Sequence, residues 1–315
     1  MRKNVFILEV GKCQKKKGNK RKVSNMENKK EKLPSTRIQW YPGHMAKTKR
    51  QIIEDLKLID VVIELLDSRI PISSRNPDIK KIVANKKKII VLNKSDLSDE
   101  TINQKWVKEL SKEAPTILAD SNSGKGIDKV SKEIDKLMEE EVKRQAQRGR
   151  INKTIRVMIL GIPNVGKSSF INRISKKTTM KVGNKPGVTQ TKQWIRIGKN
   201  QELLDTPGVL WPKFESPVIG LHLALTGAVK DDVYDRRDAL ILLLQELQEK
   251  YPQELAMFYN ITLDPNDTAE TLMEKIGTAR SCVKAGGVID LSKVEQLVLY
   301  EFKTAKMGRF TLDEP

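Results

Sequence analysis

The segment GIPNVGKS at Gly161–Ser168 constrains the fold of this chain more than any other feature. It has the spacing G-x-x-x-x-G-K-S, it ends the apolar run IRVMILG, and it precedes the helical segment SSFINRI. Glycines at this spacing let backbone N–H groups converge on phosphates, and the start of the following helix adds a positive partial charge. A strand, a phosphate loop and a helix in this order predict an α/β fold with a mostly parallel sheet flanked by helices.

The positions of this loop predict a nucleoside triphosphate as the ligand. Lys167 is expected to reach the β- and γ-phosphates, and Ser168 is expected to bind Mg²⁺. The other loop positions assigned to the nucleotide are Asn164, Val165, Gly166 and Ser169.

A second phosphate-contacting segment is predicted at DTPG, which follows the strand QELLD. Asp205 is expected to hold Mg²⁺, directly or through water, and Gly208 can offer its N–H to the γ-phosphate because no side chain blocks the approach. Between the two segments lies NKPGVTQTKQW, in which a threonine can complete the Mg²⁺ shell when the γ-phosphate is present. We favour Thr189 for this role, with Thr191 as the substitute.

The residues after DTPG raise a question about catalysis. In Ras-type GTP hydrolases a glutamine near this position orients the attacking water. Here the next residues are Val209, Leu210 and Trp211, and none of these side chains can hold a water. Another group must therefore orient the water if the chain cleaves the nucleotide.

The segment NKSD at Asn93–Asp96 predicts that the base is guanine. The Asp96 carboxylate can accept from N1–H and the exocyclic amine of guanine, a donor pair that adenine lacks. Asn93 can bond the other edge of the base, and the stem of Lys94 can cover the ring. After the next predicted strand, ADSNSGKG offers Ser121 as a further base contact.

The order of these segments is unusual, because the base-reading segment precedes the phosphate loop. In a parallel sheet, ligand-binding loops gather at the carboxyl edge whatever order the chain visits them. Joining the old termini and opening the chain elsewhere preserves such a site. We therefore predict a circularly permuted domain, with the connector VKRQAQRGRINKT as the joint.

The rest of the chain predicts three regions. Further strands are expected at DVVIELLD, KIIVLNK, PTILAD and QWIRIG, whereas the chain after about Asp235 has helical periodicity throughout, including TAETLMEKIGTARSCVKAGG. We predict a basic, disordered extension over 1–34, a circularly permuted P-loop domain over 35–220 and a smaller all-α domain over 221–315.

Charge and cysteine content narrow the possible partners. The first 50 residues hold 16 Lys and Arg against three acids, which is +13 of the net charge of +19. This run is either a solvated, disordered tail or an arm that binds a polyphosphate backbone such as RNA, and a disordered arm that orders on RNA would be both.

Cys13 and Cys282 form no spaced pair, so neither a disulfide framework nor a zinc site is indicated. No apolar run approaches the ~20 residues of a membrane span, and we expect a cytoplasmic location.

The combination of WYPGHMAK, LDSRIPISSRNP, NKSD, GIPNVGKSSFINRI, NKPGVTQTKQW and LLDTPGVLWPKF closely resembles the bacterial ribosome biogenesis GTPase A family, from about Ile38 to the end of the chain. The resemblance implies a GTPase that acts late in assembly of the large ribosomal subunit and binds rRNA, with RNA contacts on the helical domain. It places the catalytic histidine at His44. It also implies a K⁺ ligand at Asn164, and a hydrophobic residue in place of the glutamine, which is Val209 here.

From residues alone, His44 is only a candidate, in a Pro-Gly turn that precedes a helix. The other histidine, His222, lies in the apolar segment GLHLALTGA and is expected to be a packed residue.

We therefore expect a monomeric enzyme that binds GTP or GDP with Mg²⁺ and, on the resemblance, K⁺. Its GTP form binds a precursor of the large subunit, and hydrolysis, stimulated by the ribosome, releases it. The alternative is a GTP-gated RNA-binding scaffold with little hydrolysis. A permuted GTPase of the small-subunit kind, with an OB-fold and a zinc domain, is disfavoured because the chain has no Cys/His cluster and no N-terminal β-barrel pattern.

Overall fold

The computed structural model describes residues 44–83, 85–150, 153–175, 194–211 and 214–315, all of which belong to one compact unit. The predicted Thr189 and its substitute Thr191 lie outside the described residues. The same holds for the basic segment at the start of the chain. Within the described ranges the fold is α/β, as predicted from the phosphate loop.

A six-stranded sheet forms the centre of the fold, and all six predicted strands are confirmed. Its strand order is β3-β2-β1-β4-β6-β5, and β5 alone runs antiparallel, as a hairpin with β6. The strands are β1 (Val61–Asp67), β2 (Lys87–Asn93), β3 (Thr116–Leu118), β4 (Ile155–Gly161), β5 (Trp194–Arg196) and β6 (Gln201–Leu204). Because β1 and β4 are covered on both faces, they read as nearly continuous apolar runs.

Five helices cover the two faces of the sheet. They are α1 (His44–Asp55), α2 (Pro77–Ile82), α3 (Glu100–Leu110), α4 (Ile127–Gln147) and α5 (Lys167–Ser175). Side chains alternate along β1, so that Ile63 joins the cluster containing α4 and α5, and Val62 joins the cluster containing α1 and α2. None of the helices in the described ranges is long and apolar enough to cross a membrane.

The part of the chain after β6 is helical, as predicted. It contains α6 (Pro217–Leu225), α7 (Arg236–Lys250), α8 (Pro252–Tyr259), α9 (Ala269–Ala279) and α10 (Leu291–Lys303). Helix α6 spans the predicted domain boundary at 220/221, so a division ahead of Pro217 keeps the helix whole. The division into domains stays a prediction.

Helix α9 is shorter than its sequence pattern predicts. It ends at Ala279, and the prediction that the helix continues to Gly287 is wrong. Ser281 has a positive φ of 52°, and the N–H of Cys282 turns back to the carbonyl of Gly277. The chain then forms an antiparallel bridge between Val283 and Ile289, which sequence periodicity did not indicate.

Candidate nucleotide-binding site

The predicted ligand loops meet at the carboxyl edge of the parallel strands. One cleft of about 720 Å³ is lined by Lys94 from the loop after β2, by the phosphate loop after β4 and by the loop after β6. A smaller adjoining pocket of about 310 Å³ adds the loop after β3. Since the loops after β2 and β3 precede the phosphate loop in sequence, the permuted order still assembles one site.

The phosphate loop is held in a conformation that its sequence permits. Asn164 and Gly166 have positive φ values of 55° and 98°. A Cβ on Gly166 would lie 2.4 Å from Nδ2 of Asn93, so glycine is required for space as well as for backbone conformation. Ser168 and Ser169 are exposed and line the cleft at the start of α5.

Lys167 supplies a buried cation to this cleft. Its Nζ donates to the backbone carbonyls of Ile162 at 2.8 Å and Gly161 at 3.3 Å. Burial lowers the pKa of Lys167 to about 8, and the nearby charge of Asp205 acts against this shift. A buried ammonium whose hydrogen bonds within the described residues go to carbonyl oxygens is suited to an anionic ligand such as a phosphate.

The loop after β6 runs close to the phosphate loop. The N–H of Val209 donates to the carbonyl of Gly161 at 3.2 Å, and the Thr206 hydroxyl donates to the carbonyl of Ile159. A Cβ on Gly208 would lie 2.7 Å from both Nζ of Lys167 and the backbone nitrogen of Pro163. Gly208 thus permits a close approach of the two loops.

The smaller pocket is lined by Asn93, Lys94 and Ser121 of the predicted base site, and Asp96 lies in the same loop, between the lining residues Lys94 and Leu97. Burial raises the pKa of Asp96, the charge of Asp120 adds to this rise, and Arg309 and Arg69 oppose it. The Oδ1 atom of Asp96 is buried and accepts no hydrogen bond within the described part of the chain. An unpaired buried carboxylate oxygen is the feature that a guanine N–H would satisfy.

Asn93 has a bridging role that sequence reasoning missed. Its Nδ2 donates to the carbonyl of Val165 in the phosphate loop at 2.8 Å, and its Oδ1 accepts from the hydroxyl of Ser121 at 2.7 Å. The side chain therefore joins the base loops to the phosphate loop. Its predicted contact with the far edge of the base stays a prediction, and Ser121 contacts Asn93 within the protein.

Lys94 is fixed by a buried ion cluster at the end of β1. Its Nζ lies 2.9 Å from Oδ2 of Asp67, and Arg69 donates to both oxygens of the same carboxylate. Burial by itself raises the pKa of Asp67, but Arg69 and Lys94 hold it well below its usual range. In the sequence, the only indication of this ion cluster is the pair of opposite charges in LDSRIP, Asp67 and Arg69, which stand two residues apart.

The helical part of the chain also contributes to the pocket, which was not predicted. The amide nitrogen of Asn164 donates to the carbonyl of Gly227 at 2.6 Å, just after α6. Arg69 donates to the carbonyl of Lys303 at the end of α10, and Lys303 itself lines the pocket. The role of Asn164 as a K⁺ ligand stays a prediction, which requires its amide oxygen rather than the bonded nitrogen.

The oxygen donors in the cleft fit Mg²⁺. The exposed Ser168 hydroxyl and Asp205 carboxylate both line it, and hard oxygen ligands are the ones Mg²⁺ prefers. Held there by Ser168 and Asp205, the ion would neutralise negative charge on the phosphates. Burial raises the pKa of Asp205, and the charge of Lys167 and a backbone N–H of Thr206 oppose that rise.

His44 is the first residue of α1, and its side chain lies outside what the structure describes. Ile52 of α1 and Leu56, the residue directly after this helix, share a buried cluster with Val209. Ile52 follows His44 by eight positions in the helix, a rise of about 12 Å. Helix α1 is thus brought to the loop after β6, while the proximity of the His44 imidazole to the phosphates stays a prediction.

Comparison with known proteins identifies the family. The family model described as "50S ribosome-binding GTPase" matches residues 156–272, a range that begins in β4 and leaves the base-reading segment upstream. The chain is 46% identical to ribosome biogenesis GTPase A of Priestia megaterium over 88% of this chain and 97% of the relative. It is 44% identical to the protein of the same name from Bacillus pumilus, over 88% and 99%.

Solved structures agree with this assignment. GNP-bound YlqF from T. maritima matches with a TM-score of 0.58 and 26% identity, over 85% of this chain and 98% of that one. The GDP-bound structure of the T. maritima protein has the same fold, with a TM-score of 0.63 over 84% of this chain and 99% of that one. The relatives, the permuted sheet and the phosphate loop together show that this chain belongs to the ribosome biogenesis GTPase A family of circularly permuted GTPases.

Proposed function

We propose that this chain hydrolyses GTP while bound to an immature large ribosomal subunit, and that hydrolysis releases it. The observation that carries the proposal is the contact between nucleotide cleft and helical region, where Asn164 bonds Gly227 and Arg69 bonds Lys303. A nucleotide in the cleft adjoins both contacts. The presence or loss of the γ-phosphate is therefore able to change these two contacts, and with them the position of the helical region.

The finer assignments follow from this proposal. The chain is proposed to act as a monomer in the cytoplasm, with rRNA as its direct partner and contacts on the helical region 221–315. K⁺ at Asn164 is proposed as a second cation beside Mg²⁺. The basic run over 1–34 is proposed to add phosphate contacts, whose strength then falls steeply with salt.

The test of the proposal is sedimentation with purified ribosomal subunits and a GTP analogue that cannot be hydrolysed. We expect co-migration with large-subunit precursors in the analogue-bound state and release with GDP. Co-migration with the small subunit alone would overturn the proposal. A GTP-gated scaffold predicts the same sedimentation but no stimulation of hydrolysis by the particles.

Replacement of His44 tests the catalytic assignment. We expect His44→Ala to abolish the stimulation of GTP hydrolysis by large-subunit particles, because imidazole can orient water near neutral pH and Val209 cannot. GTP affinity should stay within about twofold, because the residue is assigned to the water rather than to the nucleotide. The measurement is phosphate release with and without particles. Glu54→Ala, an exposed residue on the same helix, is the control, and retention of stimulation in His44→Ala would contradict the catalytic assignment of His44.

A methyl group at Gly208 should close the cleft. In Gly208→Ala the new Cβ lies 2.7 Å from the Pro163 nitrogen and 2.9 Å from the Pro163 Cα, backbone atoms that cannot turn away as a side chain can. We expect GTP affinity to fall by about tenfold or more, since a tenfold change needs only about 1.4 kcal/mol. Titration with a fluorescent GTP analogue measures this. Gly198→Ala is the control, because its Cβ meets only side-chain atoms of Gln201; equal affinities in the two variants would contradict the expectation.

A further inference from the structure

Asn76 is a buried side chain with both ends of its amide bonded. It is 2% exposed and lies directly before α2. Its Oδ1 accepts from the N–H of Asp78 at 2.9 Å, which caps the helix. Its Nδ2 donates at 3.0 Å to the carbonyl of Val209, a residue 133 positions away in the chain.

Val209 is the first residue after the DTPG segment, and it is held from three sides. Its N–H donates to Gly161, its side chain is 4% exposed in the cluster that contains α1, and its carbonyl accepts from Asn76. Gly208, which precedes it, lies against Lys167 and Pro163 of the phosphate loop. The peptide unit that joins Gly208 to Val209 is planar, so the hydrogen bond of the Val209 N–H also fixes the plane of the Gly208 carbonyl. The bond from Asn76 holds the next peptide unit, and both units that flank the Val209 Cα are thus fixed.

The segment that carries Asn76 is itself anchored. Near its start, the N–H and hydroxyl of Ser68 both donate to the carbonyl of Asn93, at 2.9 and 2.7 Å. In its middle, the N–H groups of Ile72 and Ser73 donate to Asp313 in the C-terminal tail, at 2.8 and 2.7 Å. Asn76 is therefore a fixed point from which the Val209 carbonyl is held.

We propose that Asn76 is a positioning residue for GTP hydrolysis, acting through the Val209 carbonyl on the loop that runs from Asp205 to Val209. The inference rests on the proposed hydrolysis of GTP at this cleft. In a site without a glutamine after DTPG, the attacking water must be oriented by groups outside this loop. The backbone of Gly208, which lines the cleft and is assigned to the γ-phosphate, must then be held in place by the protein. Asn76 is not among the described residues that line the nucleotide cleft or the adjoining pocket, so the proposed effect is indirect.

The test separates the two hydrogen bonds of Asn76. Asn76→Asp keeps an oxygen for the N–H of Asp78 but places a second oxygen against the Val209 carbonyl. Asn76→Ser keeps a hydroxyl cap, an N-cap type that helices favour, and cannot reach Val209. We expect kcat to fall about tenfold in both variants, and KM for GTP to change less than twofold, because the contact acts on the arrangement for reaction rather than on binding.

The pH dependence of kcat in Asn76→Asp distinguishes a positioning role from a purely structural one, because loss of a structural contact alone would not make kcat depend on pH. Once protonated, the introduced carboxyl can donate to the Val209 carbonyl, so kcat relative to wild type should rise as the pH falls toward 5. Thr268→Ala is the matched control, because it removes the cap of α9, where the hydroxyl accepts from the N–H of Thr271 at 3.2 Å. It should lower stability slightly and leave kcat unchanged.

The outcomes are distinguishable. If wild type hydrolyses GTP and both Asn76 variants keep its kcat, the positioning role is overturned while the proposed function stands. A rise in KM with kcat unchanged also overturns it, because that result assigns Asn76 to binding. If wild type shows no hydrolysis with or without large-subunit particles, the proposed function itself fails, and the positioning role fails with it.

Discussion

Asp96→Asn is expected to lower the affinity for GTP about a thousandfold and to create affinity for XTP. The Oδ1 atom of Asp96 is buried without a hydrogen-bond partner in the described structure, and its neighbours in the loop after β2, Lys94 and Leu97, line the pocket that this loop forms with the loop after β3. Two hydrogen bonds to a charged acceptor contribute about 4 kcal/mol together, which corresponds to about a thousandfold in affinity. The variant loses the negative charge and one of the two acceptors.

The gain of XTP binding follows from the donor pattern. Xanthine presents N1–H and a C2 carbonyl where guanine presents N1–H and an amine, so a side chain with one acceptor and one donor matches it. Competitive titration against a fluorescent GDP analogue measures both affinities. Asp120→Asn is the control, because the carboxylate of Asp120 accepts from the N–H groups of Asn122 and Ser123 in its own loop. It should weaken GTP and XTP binding alike, and an unchanged preference for GTP in Asp96→Asn would contradict the assignment.

The sheet and the gathering of the ligand loops could be predicted because their signals are local. Each buried strand is a short apolar run, and a parallel sheet brings the following loops to one edge. Hence Asp96, Lys167 and Asp205 could be assigned from three separate segments. The strand order alone places these segments at one edge of the sheet, where Lys167 and Asp205 line one cleft together with Lys94, two residues before Asp96.

The contacts that hold these loops in place could not be predicted, because they join side chains to distant backbone groups. Any carbonyl can accept from Asn76 or Asn164, so nothing in the sequence near Val209 or Gly227 marks it as the acceptor. Asp313 likewise lies close to the end of the chain, in a segment with no periodic pattern, and carries no local signal. Such contacts depend on tertiary packing rather than on local preference.

Asp313→Ala is expected to lower the free energy of unfolding by about 3 kcal/mol at pH 6, the size of effect expected when a buried ion pair loses one partner. One oxygen of Asp313 accepts from two backbone N–H groups, and the other accepts from the hydroxyl of Ser73 at 2.8 Å and faces Nδ1 of His222 at 3.1 Å. His222 also lies 3.1 Å from Glu246, so it is packed, as predicted, but within an ion cluster.

Urea unfolding followed by circular dichroism measures this loss. Glu314→Ala is the matched control at the next position. Its carboxylate is 74% exposed and lies 3.7 Å from Nζ of Lys250, and a surface pair of this kind contributes little. A loss of stability in Asp313→Ala no larger than in Glu314→Ala would show that the tail is not held by this carboxylate.

The same pair of proteins should show a pH dependence of defined sign. Burial lowers the pKa of His222, but the hydrogen bonds and charges of Asp313 and Glu246 outweigh it and raise the pKa to about 9. Since the unfolded value is about 6.5, this stabilisation is complete below that pH and is lost as the pH rises through 9. The pKa of Asp313 is lowered on folding, so this carboxylate affects the pH dependence of stability only in acid. Its contribution to the free energy of unfolding is lost there as the carboxylate protonates.

The stability difference between wild type and Asp313→Ala should therefore be largest near pH 6 and shrink by about 1–2 kcal/mol toward pH 9, because Glu246 retains part of the interaction. Lys167 makes the free energy of unfolding rise with pH above 8, since its pKa is lowered on folding. Both proteins carry Lys167, so its contribution cancels in the difference. A difference that stays constant from pH 6 to 9 would mean that His222 is neutral in the folded protein, and that Asp313 holds the tail through the N–H and hydroxyl groups of the segment before Asn76 alone.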